Sequence, residues 1–324
     1  MSESIHVEHL TKRFEDVEAV VGISFGVRQG ELFGFLGPNG AGKTTTINML
    51  TGLARPDAGT IRIAGIDCTR NPKSAQHLIG VVPDESNLYP ELTGFQNLSF
   101  CAALYGIPKW DRVNRTHELL KVFGLADAGN RKFGGYSKGM KRKLTIAAGI
   151  IHTPEILFLD EPTTGIDVAS ARQIRQLIAN LNRAGTTIFL TTHYIEEAER
   201  LCERIAFIVQ GKIVQTDTVN NLIQPIQDRH VMKLAVLNPK PRLRRMLAAA
   251  FPNLKFQDAG QGSIRIEADA PVHVGPIVRF IEDQGVEVAE ARRVRLSLED
   301  VFVRVTGIEA DAMKREKEKG GGKP

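Results

Sequence analysis

The sequence predicts an α/β fold with a smaller α+β unit behind it. Three observations carry this. "EILFLD" and "TTIFLTTH" are short apolar runs on either side of a helical stretch at about 168–183. Strands buried on both faces look like this, and strand–helix alternation argues a parallel sheet covered by helices. "GELFGFLG" is another apolar run, leading into a glycine-rich turn and then the helical "TTTINMLTGL". Beyond Leu222 the pattern changes to a compact β-α-β, β-α-β order, which is the ferredoxin-like order.

Each element has its own local reason. "IHVEHL" and "AVVGISFGV" alternate apolar and polar residues and predict strands of a mostly antiparallel sheet, which "GTIRIAG" joins. Residues 93–152 carry helical periodicity, as in "THELLKVFGL". "IQPIQDRH" holds a proline and no clear period and predicts a linker. After it, "VMKLAVL", "LKFQD", "SIRIEA" and "VEVAEARRV" predict strands, with "RLRRMLAAAF" and "VGPIVRFIEDQG" as the intervening helices. "SLEDVF" predicts a short capped helix, with Ser297 as N-cap and Asp300 three residues on. The expected divisions are residues 1–222 (a helical part at about 85–152), a linker at 223–230, an α+β unit at 231–308 and a charged, disordered tail at 309–324.

The 324 residues carry a net charge of +5. Lys314, Arg315, Lys317, Lys319 and Lys323 against Glu316 and Glu318 place +3 of that in the tail. The basic balance is therefore a property of the tail and a poor argument for nucleic acid. Three well-separated cysteines with no C-x-x-C give neither a disulfide framework nor a zinc site. The first residues do not form a secretory leader, and no run of eighteen apolar residues occurs.

The chemistry is concentrated in four stretches. "GPNGAGKTT" (Gly37, Pro38, Asn39, Gly40, Ala41, Gly42, Lys43, Thr44, Thr45) fits G-x-x-x-x-G-K-[ST] between a strand and a helix. Its backbone N–H groups can turn inward around a phosphate chain, Lys43 supplies a cation to the β/γ-phosphates, and the Thr44 hydroxyl can ligate Mg²⁺. "ILFLDEP" ends an apolar strand with Asp160, suited to Mg²⁺, and Glu161, suited to orienting and deprotonating a water. "TTH" ends the next strand with His193, placed for the γ-phosphate and that water. "YSKGMKRKL" begins a helix with Ser137 and Gly139 but crowds Lys141, Arg142 and Lys143 into its first turns. A helix N-terminus disfavours cations, and a broken local rule marks a place to look for function.

In this order the motifs resemble an ATP-binding cassette (ABC) ATPase, the motor subunit of ABC transporters, over residues 5 to about 222. "YSKGMKRKL" aligns with the family signature L-S-G-G-Q, and "TGID" (Thr164 to Asp167) resembles the D-loop. Phe14 matches the aromatic that stacks on adenine, though an aromatic there is otherwise simple core. The resemblance implies a P-loop NTPase core that hydrolyses ATP with Mg²⁺. It implies head-to-tail pairing of two copies, each ATP lying between one copy's phosphate loop and the other's Ser137 and Gly139, with Asp167 nearby. It also implies a separate integral membrane permease, at the cytoplasmic face of a membrane. No nucleic-acid partner is expected.

Two departures stand out. Tyr136, Lys138 and Met140 replace the signature's leucine, second-position glycine and glutamine. Asp84, in "VVPDESNLYPELT", stands where the family has the Q-loop glutamine; a carboxylate there can still ligate Mg²⁺. Together with "SLEDVF", these departures resemble the branch that serves ABC-2-type exporters, including drug-resistance and sodium-export ATPases, with a C-terminal accessory unit. The rival reading is a soluble ABC ATPase acting on nucleic acid, the ribosome or an assembly without a permease. Only 117 residues separate Lys43 from Asp160, which leaves no room for the long coiled coil of DNA-repair members.

Overall fold

The computed structural model describes residues 2–308 apart from 228, 229, 241, 259, 261 and 295. The tail expected at 309–324 lies outside the described residues. The chain divides into two compact units, the second being Asn220–Arg304.

In the first unit, β1 (Glu3–Phe14), β2 (Val17–Arg28), β4 (Ala58–Ile63) and β5 (Ile66–Asp67) form an antiparallel sheet in the order β2-β1-β4-β5. The second sheet contains β3 (Leu32–Leu36), β6 (Ile79–Val82), β7 (Ile156–Asp160), β8 (Thr187–Thr192), β9 (Arg204–Val209) and β10 (Lys212–Thr218), in the order β10-β9-β3-β8-β7-β6. It is parallel except for the β9–β10 pair. Every residue of β3, β7 and β8 is buried, as continuous apolar runs demand. The Phe25 ring of β2 lies 5.6–5.8 Å from those of Phe33, Phe35 and Phe189, stacked on the first and tilted to the others, so an aromatic cluster joins the antiparallel sheet to the parallel one.

The helices of this unit are α1 (Lys43–Leu50), α2 (Gly94–Leu104), α3 (Lys109–Val122), α4 (Lys138–Gly149), α5 (Val168–Arg183) and α6 (Ile195–Leu201). α2 starts on a full capping box, Thr93 with Gln96. α2, α3 and α4 pack on one another, which accounts for the helical periodicity over 93–152. α5 starts where Asp167 accepts a hydrogen bond from the Ser170 N–H at 2.8 Å.

The second unit opens with α7 (Val219–Gln227), where the sequence predicted a linker. The residues 223–227 are helical despite Pro225. Leu222, Ile223 and Ile226 are buried, so burial of one helix face outweighs the hydrogen bond that proline cannot make. There follow β11 (His230–Leu237), α8 (Leu243–Ala250), β12 (Lys255–Asp258), β13 (Ser263–Ala268), α9 (Val274–Asp283), β14 (Glu287–Val294) and α10 (Leu298–Thr306). The sheet is antiparallel in the order β12-β13-β11-β14, the ferredoxin-like topology. At the start of α10 the Ser297 N–H donates to Asp300 Oδ2 at 3.0 Å.

Candidate functional site

The parallel sheet brings three of the four motifs to one edge, the C-terminal ends of β3, β7 and β8, where open α/β sheets hold ligands. The loop after β3 is pinned to its neighbour by the Gly37 N–H donating to Thr192 O at 3.3 Å. Gly42 adopts φ 102° immediately before α1, and a Cβ there would lie 2.3 Å from Ala19 O. Only glycine accommodates that turn.

Around this loop the side chains form one network. Lys43 Nζ donates to Gly37 O at 2.8 Å and to Pro38 O at 3.0 Å, and lies 3.2 Å from Glu161 Oε1 as an ion pair. Glu161 Oε2 sits 2.7 Å from His193 Nδ1 and accepts from the Thr164 hydroxyl at 2.9 Å. The Thr44 hydroxyl donates to Asp160 Oδ2 at 2.8 Å, and the Thr191 hydroxyl to Asp160 Oδ1. Lys43, Asp160, Glu161 and His193 are all buried. Glu161 has φ 49°, a left-handed conformation that costs a non-glycine residue on the order of 1–3 kcal/mol and occurs at functional sites more than elsewhere.

Burial pushes the Asp160 carboxyl above its ordinary range, and the Thr191 and Thr44 hydroxyls offset only part of that. Burial would also raise Glu161, but the hydrogen bond to His193 and the charge of Lys43 outweigh it and hold Glu161 below its ordinary range. Two adjacent acids are thus pushed in opposite directions: burial makes the Asp160 carboxylate the one that gains most from a nearby cation, while Glu161 is held ionised.

The residues fit a Mg-nucleotide. Asn39 Nδ2 in the phosphate loop is buried with no hydrogen-bond partner among the described residues, a donor suited to a phosphate oxygen. Thr44 and Asp160 present a hydroxyl and a carboxylate side by side. No group of three or more His, Cys, Asp or Glu suited to a metal occurs among the described residues. Mg²⁺ usually takes only one or two carboxylates and completes its shell with phosphates and water.

The other predicted residues lie elsewhere. Phe14 ends β1, is 49 % exposed and carries Lys12 Nζ 5.1 Å above its ring; it lies at the surface, not in the core. Ser137 N-caps α4 by accepting from the Met140 N–H at 3.2 Å. Gly139 has a packing reason beside the one its motif implies. Its missing Cβ faces this chain's own α5: a Cβ would fall 2.2 Å from Ser170 Oγ. Asp167 caps α5. Asp84 is engaged by Arg142, whose Nη2 lies 3.4 Å from Asp84 Oδ1.

The crowding of cations at α4 also resolves. Lys141 Nζ sits 5.6 Å over the Phe133 ring, Lys143 donates to Gln173 at 2.6 Å, and Arg142 is buried against the residues after β6. Each of the three is thus engaged within this chain. Sequence reasoning also missed Thr164, Thr191 and Glu197. Glu197 is 3 % exposed and accepts from the Thr163 hydroxyl at 2.6 Å; its signal was its place one helical turn after His193.

Known proteins agree with this geometry. A family model described as "ABC transporter" matches residues 20–164. A daunorubicin resistance ATP-binding protein of Streptomyces coeruleorubidus is 36 % identical over 94 % of this chain and 95 % of its own length. A linearmycin resistance ATP-binding protein of Bacillus subtilis is 40 % identical over 72 % of this chain and 75 % of its own length. A dimeric ATP-binding cassette in a post-hydrolysis state, bound to ADP and phosphate, superposes with a TM-score of 0.61 at 26 % identity, covering 66 % of this chain and 98 % of that one.

Proposed function

The chain belongs to the ABC transporter family of ATP-binding subunits, and from that premise we propose that it drives an ABC-2-type exporter by ATP-dependent pairing with a second copy. The single observation that carries the catalytic reading is the buried Lys43–Glu161–His193 network at the phosphate loop. A water held by Glu161 attacks the γ-phosphorus in line. Glu161 takes the proton, the bond to the ADP oxygen breaks, and ADP and phosphate leave. His193 Nδ1 and the Thr164 hydroxyl together fix the Glu161 carboxylate at Oε2, while Lys43 faces Oε1. Lys43 and the loop N–H groups stabilise the charge that develops on the phosphoryl oxygens. Thr44 and Asp160 would hold Mg²⁺, which when bound neutralises the β/γ-phosphates.

Ser137 and Gly139 at the start of α4 face the partner's ATP, and Phe14 stacks on adenine. None of the described helices is long and apolar enough to cross a membrane, so opening and closing of the pair acts on a separate membrane permease at the cytoplasmic face. The named activities of the relatives, resistance to daunorubicin and linearmycin, support export without specifying this chain's cargo. The test is Glu161→Gln protein with saturating Mg-ATP. Light scattering should report a dimer that no longer turns over, and a permanent monomer would sink the proposal. Pull-down from membranes should bring an integral membrane protein.

A further inference from the structure

Arg142 stands three residues after Gly139 on α4 and is 8 % exposed. α4 already buries Leu144, Ile146 and Ala147, so a guanidinium is an expensive way to anchor it. Its terminal nitrogens are committed to backbone. Nη1 donates to Pro83 O at 2.6 Å, and Nη2 donates to Asp84 O while lying 3.4 Å from the Asp84 carboxylate.

Those carbonyls have a particular address. Val82, at the end of β6, pairs with Leu159 of β7, so Pro83 and Asp84 run beside Asp160 and Glu161 at the ligand edge of the sheet. Burial lowers the guanidinium's affinity for its proton, and the charges of Asp84, Asp160 and Glu161 act against that. Arg142 therefore lies within the field of the site's carboxylates. A cavity of about 390 Å³ is lined by Asp84, Lys138, Arg142 and Thr164 among others, and Thr164 is itself bonded to Glu161.

We propose that Arg142 is a positioning residue that ties the partner-facing start of α4 to the Pro83–Asp84 turn, so that ATP seated against Ser137 and Gly139 by a second copy is registered at this chain's own Asp160 and Glu161. This rests on the ATP-bridged dimer proposed above. The tie is rigid because one planar fork grips two successive carbonyls. A lysine ammonium keeps the charge but cannot hold both in a fixed plane. Displacement of α4 along its axis is thus passed to the turn as a backbone shift.

The experiment compares the intact chain with Arg142→Lys and Arg142→Gln in steady-state ATP hydrolysis. ATP affinity of the isolated monomer is measured beside it with a fluorescent ATP analogue. The intact chain is expected to show a Hill coefficient of about 2, falling to about 1 in both variants, with kcat reduced about tenfold. Monomer affinity for the analogue should stay within about twofold, since Arg142 touches no part of the phosphate loop. A Hill coefficient near 1 in the intact chain overturns the proposal. So does either variant keeping both kcat and cooperativity, or a parallel loss of monomer affinity, which marks a merely structural arginine. Should both variants fail to fold, Asp84→Asn carries the test, because it removes the carboxylate charge that Arg142 Nη2 faces at 3.4 Å and so loosens the fork at its Asp84 end. Loss of cooperativity there supports the tie, and unchanged kcat and Hill coefficient overturn it. Failure of the dimer reading is distinguished separately, because Glu161→Gln with Mg-ATP then stays monomeric although Arg142 is intact.

Discussion

Glu161 and Glu197 are buried acids, and they are pushed in opposite directions. Burial raises Glu197 above its ordinary range, with the Thr163 and Thr192 hydroxyls offsetting part and Glu161 adding to it. Its folded form holds the proton more tightly than the unfolded chain does. The stability it contributes therefore falls as pH rises from about 4.5 toward the folded value, and is level above that. Glu197→Gln cannot ionise but still accepts from Thr163. Its Tm should match or trail the wild type at acid pH and gain on it as pH rises, by about 2–4 °C for each kcal/mol. Glu161 is held low, so its contribution is present above about 4.5 and is lost as pH falls through the depressed value. Glu161→Gln should trail the wild type at neutral pH, with the gap closing on acidification. Thermal melts across pH check both, and two curves of the same sign would contradict the opposed environments. Asp84 offers a third residue-scale expectation. Its side chain is 35 % exposed and shared with Arg142, so Asp84→Asn should shift the Mg²⁺ dependence of turnover only modestly if Thr44 and Asp160 hold the ion. Unchanged activity and metal affinity would remove Asp84 from the metal shell.

At the scale of elements, the pairing of α4 with α5 gives Gly139 a packing reason beside the one its motif implies. The Cβ of Gly139→Ala would fall 2.2 Å from Ser170 Oγ and 2.6 Å from Ser170 Cβ. The expected cost is that of overpacking, about 1–3 kcal/mol. Ser170→Gly clears both atoms, so the double variant should recover most of the lost Tm, and strictly additive losses would mean that the two helices do not meet there. The same pair shows what the sequence could and could not disclose. The phosphate loop, the Asp160–Glu161 strand end and the helix at 168–183 were legible, because each is set by contiguous residues with a fixed spacing. Gly139 against Ser170, Arg142 against Pro83 and Glu197 against Thr163 join residues 31, 59 and 34 positions apart. No local pattern encodes such a meeting. The helix at 219–227 was missed for a related reason. Pro225 is a strong local signal, and the burial of Leu222, Ile223 and Ile226 that outweighs it is tertiary.

At the scale of the whole molecule, the site residues from Phe14 to His193 fall in the first unit, while Asn220–Arg304 has a buried cluster of its own, including Leu234 of β11, Leu247 of α8 and Ile281 of α9. The daunorubicin resistance protein matches 306 residues of this chain, too many to leave that unit out, so it is shared with a relative of the same family. We propose that it braces or regulates the pair. Because nearly all of α7 is grouped with the second unit, a cut at residue 231 severs that unit inside its first elements, whereas a cut after Val219 removes it whole, along with the residues from Val305 onward that are grouped with the first. The chain ending at Val219 should stay soluble and bind ATP as the full chain does, since every predicted site residue remains. In the Glu161→Gln background it should pair at least ~10-fold more weakly in Mg-ATP, the loss expected when a second contact no longer raises the effective concentration of the first. Light scattering against protein concentration measures this. Equal pairing and equal turnover in the two chains would assign the brace to the first unit alone and leave the second a role outside dimerisation.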